Sequence, residues 1–222
     1  MVRKMLLHEM NIITNFHKKK WVTIFVIYLR YLIGGAMVFS SIAKIKGGRF
    51  TAKDGISDPI NSAWHFFETL YQSGLYWSFL GWSQLIAGFL LMTQFYAALG
   101  AIAMFPITLN VLVITLSYYF AFTPVITGLL LLANIFLLLW DYEKLSPLLQ
   151  PNKSKRINPV LINREIEANR LWVYLGLLLF LVTVIYVPLF ERNPVYWFLI
   201  CITLGLVGLI LYSKKRTTNR LH

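Results

Sequence analysis

The sequence has few of the residues that keep a chain soluble in water. Only 14% of its 222 residues are charged and nine are acidic, whereas 58% are hydrophobic. Such a composition does not suit a surface that faces water on all sides. Most of the surface of the folded chain is therefore expected to face lipid.

Cysteine and histidine are also scarce. Cys201 is the only cysteine, which excludes an intramolecular disulfide, a CxxC redox pair and a metal site built from cysteines. The four histidines, His65 among them, lie outside the long apolar runs, whereas a membrane haem needs axial ligands facing each other inside a bundle. The sequence therefore predicts no intrinsic haem and no metal site.

Long apolar runs are abundant. A helix that spans a membrane needs about 20 apolar residues, and six runs come close to that length. We predict an all-α fold, a polytopic membrane helix bundle with about six transmembrane helices. The predicted spans are residues 21–43, 75–92, 96–118, 124–140, 171–190 and 195–212.

The net charge of +12 does not indicate nucleic-acid binding, because Lys and Arg lie in the gaps between the apolar runs and not along one amphipathic face. Fifteen of the 21 lie in the two tails and the 141–170 segment, which a six-span topology places on one side of the membrane. Basic segments stay in the cytoplasm. We therefore predict a multi-pass protein of a bacterial-type inner membrane with both termini cytoplasmic.

Link lengths predict how the spans are grouped. The second, third and fourth spans are joined by very short links and must be antiparallel neighbours. The predicted organisation is a basic tail at 1–20, a four-helix core at 21–140 with an extracytoplasmic loop at 45–74, a cytoplasmic linker at 141–170, an appended transmembrane hairpin at 171–213 and a basic tail at 214–222.

The extracytoplasmic loop is expected to contain a short helix. Asp58-Pro59 pairs an N-cap acceptor with a proline at the first helical position, and Gly74 ends the helix. His65 and Glu68 share one of its faces. They are candidates for an outer-surface proton relay, although an exposed interfacial pair without a ligand is the simpler interpretation.

Arg30 is the strongest candidate for a binding residue. It follows about nine residues of the first span, which predicts a depth near the bilayer middle. An intramembrane Arg stays charged and needs acceptors, and no carboxylate lies deep in a predicted span. The expected neighbours are therefore neutral. Either these groups fix Arg30 in the bundle, or Arg30 donates hydrogen bonds to an oxygen-rich ligand such as a quinone or a lipid head group.

The other candidate ligand-binding residues are polar groups expected near Arg30 or along its helix. Lys44 lies fourteen residues beyond Arg30 on roughly the same face, and it is also placed to snorkel to the interface. Pro106 is expected to kink the third span. The small residues of the first span let another helix approach closely. The polar candidates within the second, third and fourth spans are Gln84, Asn110 and Asn134.

Two segments resemble the DoxX family of membrane proteins. The first span carries Arg30, Gly34, Phe39 and Lys44 in the family's order, and the run from Gly81 to Met92, followed by a quick turn, is similar to the family's second helix. Gln84 stands where the family often has an acidic residue. The resemblance covers roughly residues 28–141 and implies a four-helix unit associated with membrane redox processes, with a quinone and a redox partner protein.

Three classes of function follow from these patterns. The first is a DoxX-like protein that binds quinone or lipid and supports a membrane redox process, in which it is a candidate subunit of a quinone-linked oxidoreductase. The second is a non-enzymatic scaffold or accessory subunit. A small transporter ranks last, because no second charged group is expected deep in a span. No residue is assigned a catalytic step.

Overall fold

A computed structural model describes residues 19–49, 51, 53–119, 122–142, 144–145, 164–190 and 193–218. The regular secondary structure in these residues is entirely helical, and six helices are long and apolar enough to cross a membrane. The predicted all-α membrane fold is confirmed. Most of the N-terminal tail, most of the linker and the last four residues of the C-terminal tail fall outside the described residues.

The predicted spans agree with the helices to within a few residues, except that the last helix continues six residues beyond its predicted end. The six long helices are α1, α3, α4, α5, α7 and α8, while α2 and α6 are short. Their bounds are α1 (Lys20–Ile45), α2 (Ala63–Gln72), α3 (Leu75–Met92), α4 (Ala97–Ser117), α5 (Thr123–Trp140), α6 (Arg164–Glu167), α7 (Arg170–Leu189) and α8 (Pro194–Thr218).

The first span, α1, is the centre of the bundle and contacts α3, α5, α6 and α7. It crosses α3 where two glycines meet, since a Cβ atom on Gly34 would lie 2.8 Å from the carbonyl oxygen of Gly88. Only residues without bulky side chains permit so close an approach of two backbones. The prediction that small residues of the first span let another helix come near is confirmed.

The last two spans are part of the same bundle. Tyr31 of α1 donates a hydrogen bond to the carbonyl oxygen of Trp172 in α7, and both side chains belong to one buried apolar cluster with Met92. Gly176 of α7 lies against the backbone of Met92, where a Cβ atom would be only 1.9 Å from the carbonyl oxygen. In the sequence these spans suggest an appended hairpin, whereas in the structure α7 packs directly on α1 and α3.

The short helix α2 begins later than predicted. Ser62 is its N-cap and accepts a hydrogen bond from the backbone N–H of His65. The carboxylate of Asp58 instead accepts from Lys53 at 2.9 Å, so Asp58-Pro59 precedes the helix without capping it. Gly74 follows the helix with φ of +60°, and this conformation, which favours glycine, agrees with the predicted end.

The helix ends define two sides of the bundle. The start of α1, the α3–α4 link at 93–96, the end of α5 and the start of α7 lie together, and we call this the N-side. The opposite side holds the end of α1, the loop with α2 and the end of α4, as shown by the hydrogen bond from Trp77 to Gly48 and the stacking of Phe66 on Tyr118.

Candidate functional site

Arg30 lies in a buried ion-pair network at the N-side. One terminal nitrogen, Nη1, donates to Gln94 Oε1 at 3.0 Å, and the other, Nη2, donates to Asp141 Oδ2 at 2.8 Å. Glu167 Oε1 lies 3.6 Å from the same Nη2 atom. Arg30 and Asp141 are each only 1% exposed, so the charge of the guanidinium is compensated within the protein.

Lys144 completes the network from its exposed edge. Its Nζ atom lies 2.7 Å from Asp141 Oδ1 and 3.1 Å from Glu167 Oε2, and Trp140 Nε1 donates to Glu167 Oε1 at 3.0 Å. Two cations and two carboxylates therefore alternate, with no net charge. Such mutual compensation is what a buried ionic cluster requires.

The electrostatics of Glu167 reflect this compensation. Burial acts to raise the pKa of its carboxyl group, but Arg30, Lys144 and the hydrogen bond from Trp140 hold that pKa below its ordinary value. Glu167 is therefore ionised at neutral pH. It joins α6, which precedes the fifth span, to the first span.

The prediction that Arg30 has no carboxylate partner is wrong. The apolar run alone predicts a position near the bilayer middle. However, α1 has 26 residues, or about 39 Å at 1.5 Å per residue, and exceeds the hydrocarbon thickness of about 30 Å. Arg30 consequently lies level with the α3–α4 link and the end of α5. Gln94, in that link, has φ of +61° and is 8% exposed.

Lys44 lies farther along α1, and Gln84 lies on α3 beside that part of α1; neither is bonded to Arg30. The hydroxyl of Ser40 donates to Gln84 Oε1 at 3.3 Å, and the Ser40 carbonyl accepts from Lys44 Nζ at 2.9 Å. The ammonium of Lys44 also lies 5.3 Å from the centre of the Trp77 ring, a cation–π contact. Ser40 thus links Gln84 and Lys44 in a separate polar cluster between α1 and α3.

Asn134 is fully buried between α5 and α4. Its side-chain amide is oriented so that both the nitrogen and the oxygen form hydrogen bonds. The nitrogen donates to the carbonyl oxygen of Ala101 at 3.2 Å, and the oxygen accepts from the backbone N–H of Phe105 at 3.0 Å. These groups stand one turn apart, next to Pro106 within α4. Asn134 therefore bonds to the backbone of α4 and lies apart from Arg30.

Asn110 lies on the exposed surface of α4. It is in the middle of a span, as predicted, but its face of the helix is turned away from the bundle. Among the sequence candidates, the structure brings none of the others to Arg30. The residues that do lie near Arg30 are found just outside the ends of spans: Gln94, Asp141, Lys144 and Glu167. The predicted topology places all four on the same side of the membrane, and this shared side is the sequence signal that could have identified them.

Glu68 and His65 lie on the opposite side in α2. Both carboxylate oxygens of Glu68 accept from Arg49, at 2.8 and 3.0 Å, whereas His65 Nδ1 is buried without a partner among the described residues. Because Arg49 donates to the carboxylate, the pKa of Glu68 lies below its ordinary value. The pair ties α2 to the segment that follows α1, and it contains no histidine.

This pair predicts an acid-sensitive loop. A carboxyl group with a pKa lowered by folding contributes stability above its unfolded-state pKa, and that stability is lost as the pH falls through the folded-state pKa. We expect hydrogen-exchange protection of α2 to decrease on acidification, and Glu68→Gln to remove most of this pH dependence. Asp54 pairs with the same Arg49 at 3.5 Å but is 54% exposed, so Asp54→Asn is the comparison for a weak, solvent-screened pair and should change the acid response little. An unchanged acid response in Glu68→Gln would contradict the prediction.

A groove of about 380 Å³ opens between α1, α7 and α8. Arg30 does not line it, although the neighbouring residues Leu29 and Tyr31 do. Its polar groups are few, and two of them are bonded within the protein: the Tyr28 hydroxyl donates to the Gly205 carbonyl, and Thr183 Oγ1 accepts from Trp197 Nε1. The other lining residues are Phe25, Leu32, Gly35, Met92, Leu179, Phe198, Cys201, Ile202 and Leu206.

The groove suits an apolar ligand. Binding sites for small molecules typically measure about 300–1,000 Å³ and are lined mainly by apolar and aromatic side chains. No charged residue lines this one, so it offers nothing to pair with an ionic head group. The arrangement can hold a hydrocarbon or isoprenoid chain that enters from the lipid.

Fold and site together define the class: a multi-pass helical protein of a lipid bilayer. No group of three or more His, Cys, Asp or Glu residues suited to a metal ion occurs in the described part of the chain. The chain matches no model of a known protein family, no curated protein and no solved structure.

Proposed function

We propose that the protein is a DoxX-like membrane protein that holds the apolar tail of an isoprenoid quinone or another lipid in the groove between α1 and α8. In this way it supports a membrane redox process together with a partner protein. The observation that carries the proposal is the groove itself, which is apolar, aromatic and bordered by lipid-facing residues. The redox context comes from the sequence resemblance alone.

The contacts of Arg30 favour a ligand position away from its guanidinium group. The terminal nitrogens of Arg30 donate to Gln94 and Asp141, so a ligand head group would have to compete with a buried carboxylate. The groove begins on the other face of α1, at Tyr28 and Tyr31. We therefore assign ligand binding to the groove and bundle stability to Arg30, and we assign no catalytic step.

A matched pair of substitutions on α8 tests the groove. Leu206 lines it, whereas Val207, the next residue, does not, and the two side chains are 55% and 47% exposed. We expect Leu206→Trp to fill the groove with an indole ring and to lower the amount of co-purified ligand at least about fivefold, while Val207→Trp retains it. Isoprenoid quinone and phospholipid are both quantified by mass spectrometry after purification in mild detergent.

The result identifies the ligand class. Near-stoichiometric quinone that is lost only in Leu206→Trp supports a quinone, and a single phospholipid species with the same behaviour supports a lipid. Equal amounts of bulk phospholipid in both variants would overturn the proposal.

A second candidate is a non-enzymatic scaffold or accessory subunit. The Arg30 network favours it, because the charge that first suggested a ligand site is balanced by Asp141 and Glu167. If the folded wild-type protein carries no quinone or lipid species beyond bulk phospholipid, this candidate is left as the function.

We also propose that the N-side faces the cytoplasm of a bacterial-type cell, with both termini there. The basic segments supply the reason. A reporter fused to the C-terminus that is active only outside the cytoplasm would contradict this orientation.

A further inference from the structure

The position of Asn110 is unusual for an amide. It is the fourteenth residue of α4, about 20 Å from the start of the helix and about 10 Å from its end. Its side chain is exposed, as are the neighbouring residues Leu109 and Val113. The amide therefore faces the hydrocarbon interior of the bilayer.

An amide in this environment has an unmet need for hydrogen bonds. The two buried span amides, Gln84 and Asn134, have partners within the bundle, but no residue in the described part of the chain bonds to the exposed Asn110 side chain. Lipid tails offer neither donors nor acceptors, so an isolated amide there costs free energy. A group on another helix is the partner that would remove this cost.

A second copy of the chain supplies such a group by symmetry. Two copies inserted with the same topology are related by an axis along the membrane normal, so each residue lies at the same depth as its equivalent, and residues close to the axis face their equivalents. An asparagine amide carries both donors and an acceptor. Two Asn110 side chains can therefore satisfy each other, which a single-function group such as Lys could not do.

We propose that the protein forms a two-fold dimer in which α4 packs on α4 and the two Asn110 amides exchange hydrogen bonds. The face that would be covered is a stripe of exposed residues at helical spacing: Pro106, Asn110, Val113 and Ser117. This inference does not depend on what fills the groove, which lies on α1, α7 and α8.

Cysteine crosslinking in native membranes tests the dimer. The background is Cys201→Ser, which removes the only cysteine. We expect Val113→Cys to form an efficient disulfide-linked dimer on mild oxidation. Leu129→Cys, at a similarly deep and 62% exposed site on α5, serves as the control and should stay monomeric. Adding Asn110→Leu to Val113→Cys should weaken association about tenfold or more.

The outcomes separate the possible occupants of this face. Asn110→Gln should retain the dimer, because glutamine keeps the amide. Equal crosslinking at Val113→Cys and Leu129→Cys would indicate random collisions and overturn the proposal. A crosslink from Val113→Cys to a different polypeptide, without self-crosslinking, would overturn it in favour of a heteromeric interface.

Discussion

Replacement of Asp141 by Asn is expected to destabilise the protein by about 3 kcal/mol, because it leaves Arg30 buried with a single, more distant carboxylate. Arg30 and Asp141 are each 1% exposed and lie 2.8 Å apart, so water cannot replace the lost charge. The free energy of unfolding in detergent or bicelles measures the effect. Asp54→Asn, at the exposed loop position, should change it by less than about 0.5 kcal/mol.

A double substitution checks the electrostatic origin of this loss. Arg30→Met combined with Asp141→Leu removes both charges and keeps apolar volume, so it should recover most of the stability that Asp141→Asn loses. If the double variant is as unstable as the single one, the network matters through shape and hydrogen bonding and the charge argument fails.

Replacement of Gly176 by Ala is expected to have the second large effect. The added Cβ atom would lie 1.9 Å from the Met92 carbonyl oxygen and 3.0 Å from the Tyr31 ring, and neither the backbone of α3 nor a packed ring can move away easily. Forcing a methyl group into such a contact typically costs about 1–3 kcal/mol and shifts the helices apart. Thermal unfolding in detergent measures the loss.

Gly128→Ala is the matched control for Gly176→Ala. Gly128 is also within a span, but the nearest atom to its added Cβ would be Leu112 Cδ1 at 3.9 Å, an ordinary van der Waals distance. We expect its stability to stay the same or to rise slightly, because alanine favours the helix over glycine. Equal losses in the two variants would show that α7 does not pack on α3 as closely as described.

The spans were predictable because hydrophobic runs of about 20 residues dictate helix number without knowledge of the packing. The end of α2 before Gly74 was also predictable from local sequence, because glycine is the residue that most readily adopts the positive φ of a turn after a helix. The start was not. Both Asp58 and Ser62 are good N-cap residues, and the ion pair of Asp58 with Lys53 settles the choice through a contact that the sequence pattern does not indicate.

The Arg30 network could not be predicted in the same way. Its partners Gln94 and Asp141 are 64 and 111 residues away along the chain, and their proximity depends on how far α1 extends beyond the other spans. Asn110 shows the converse. Its depth in a span was predicted, but the direction of its side chain depends on which face of α4 packs on α3 and α5.

The separation of Arg30 and Asp141 along the sequence also has a consequence during synthesis of the chain. A ribosome adding about 5–20 residues per second makes Asp141 roughly 5–20 s after Arg30. During that interval the first span carries a cation without its carboxylate. A chain halted before the end of α5 thus differs from a finished one by an unpaired guanidinium at the membrane. Completion of α5, which Asp141 follows directly, supplies the carboxylate that neutralises Arg30 of α1.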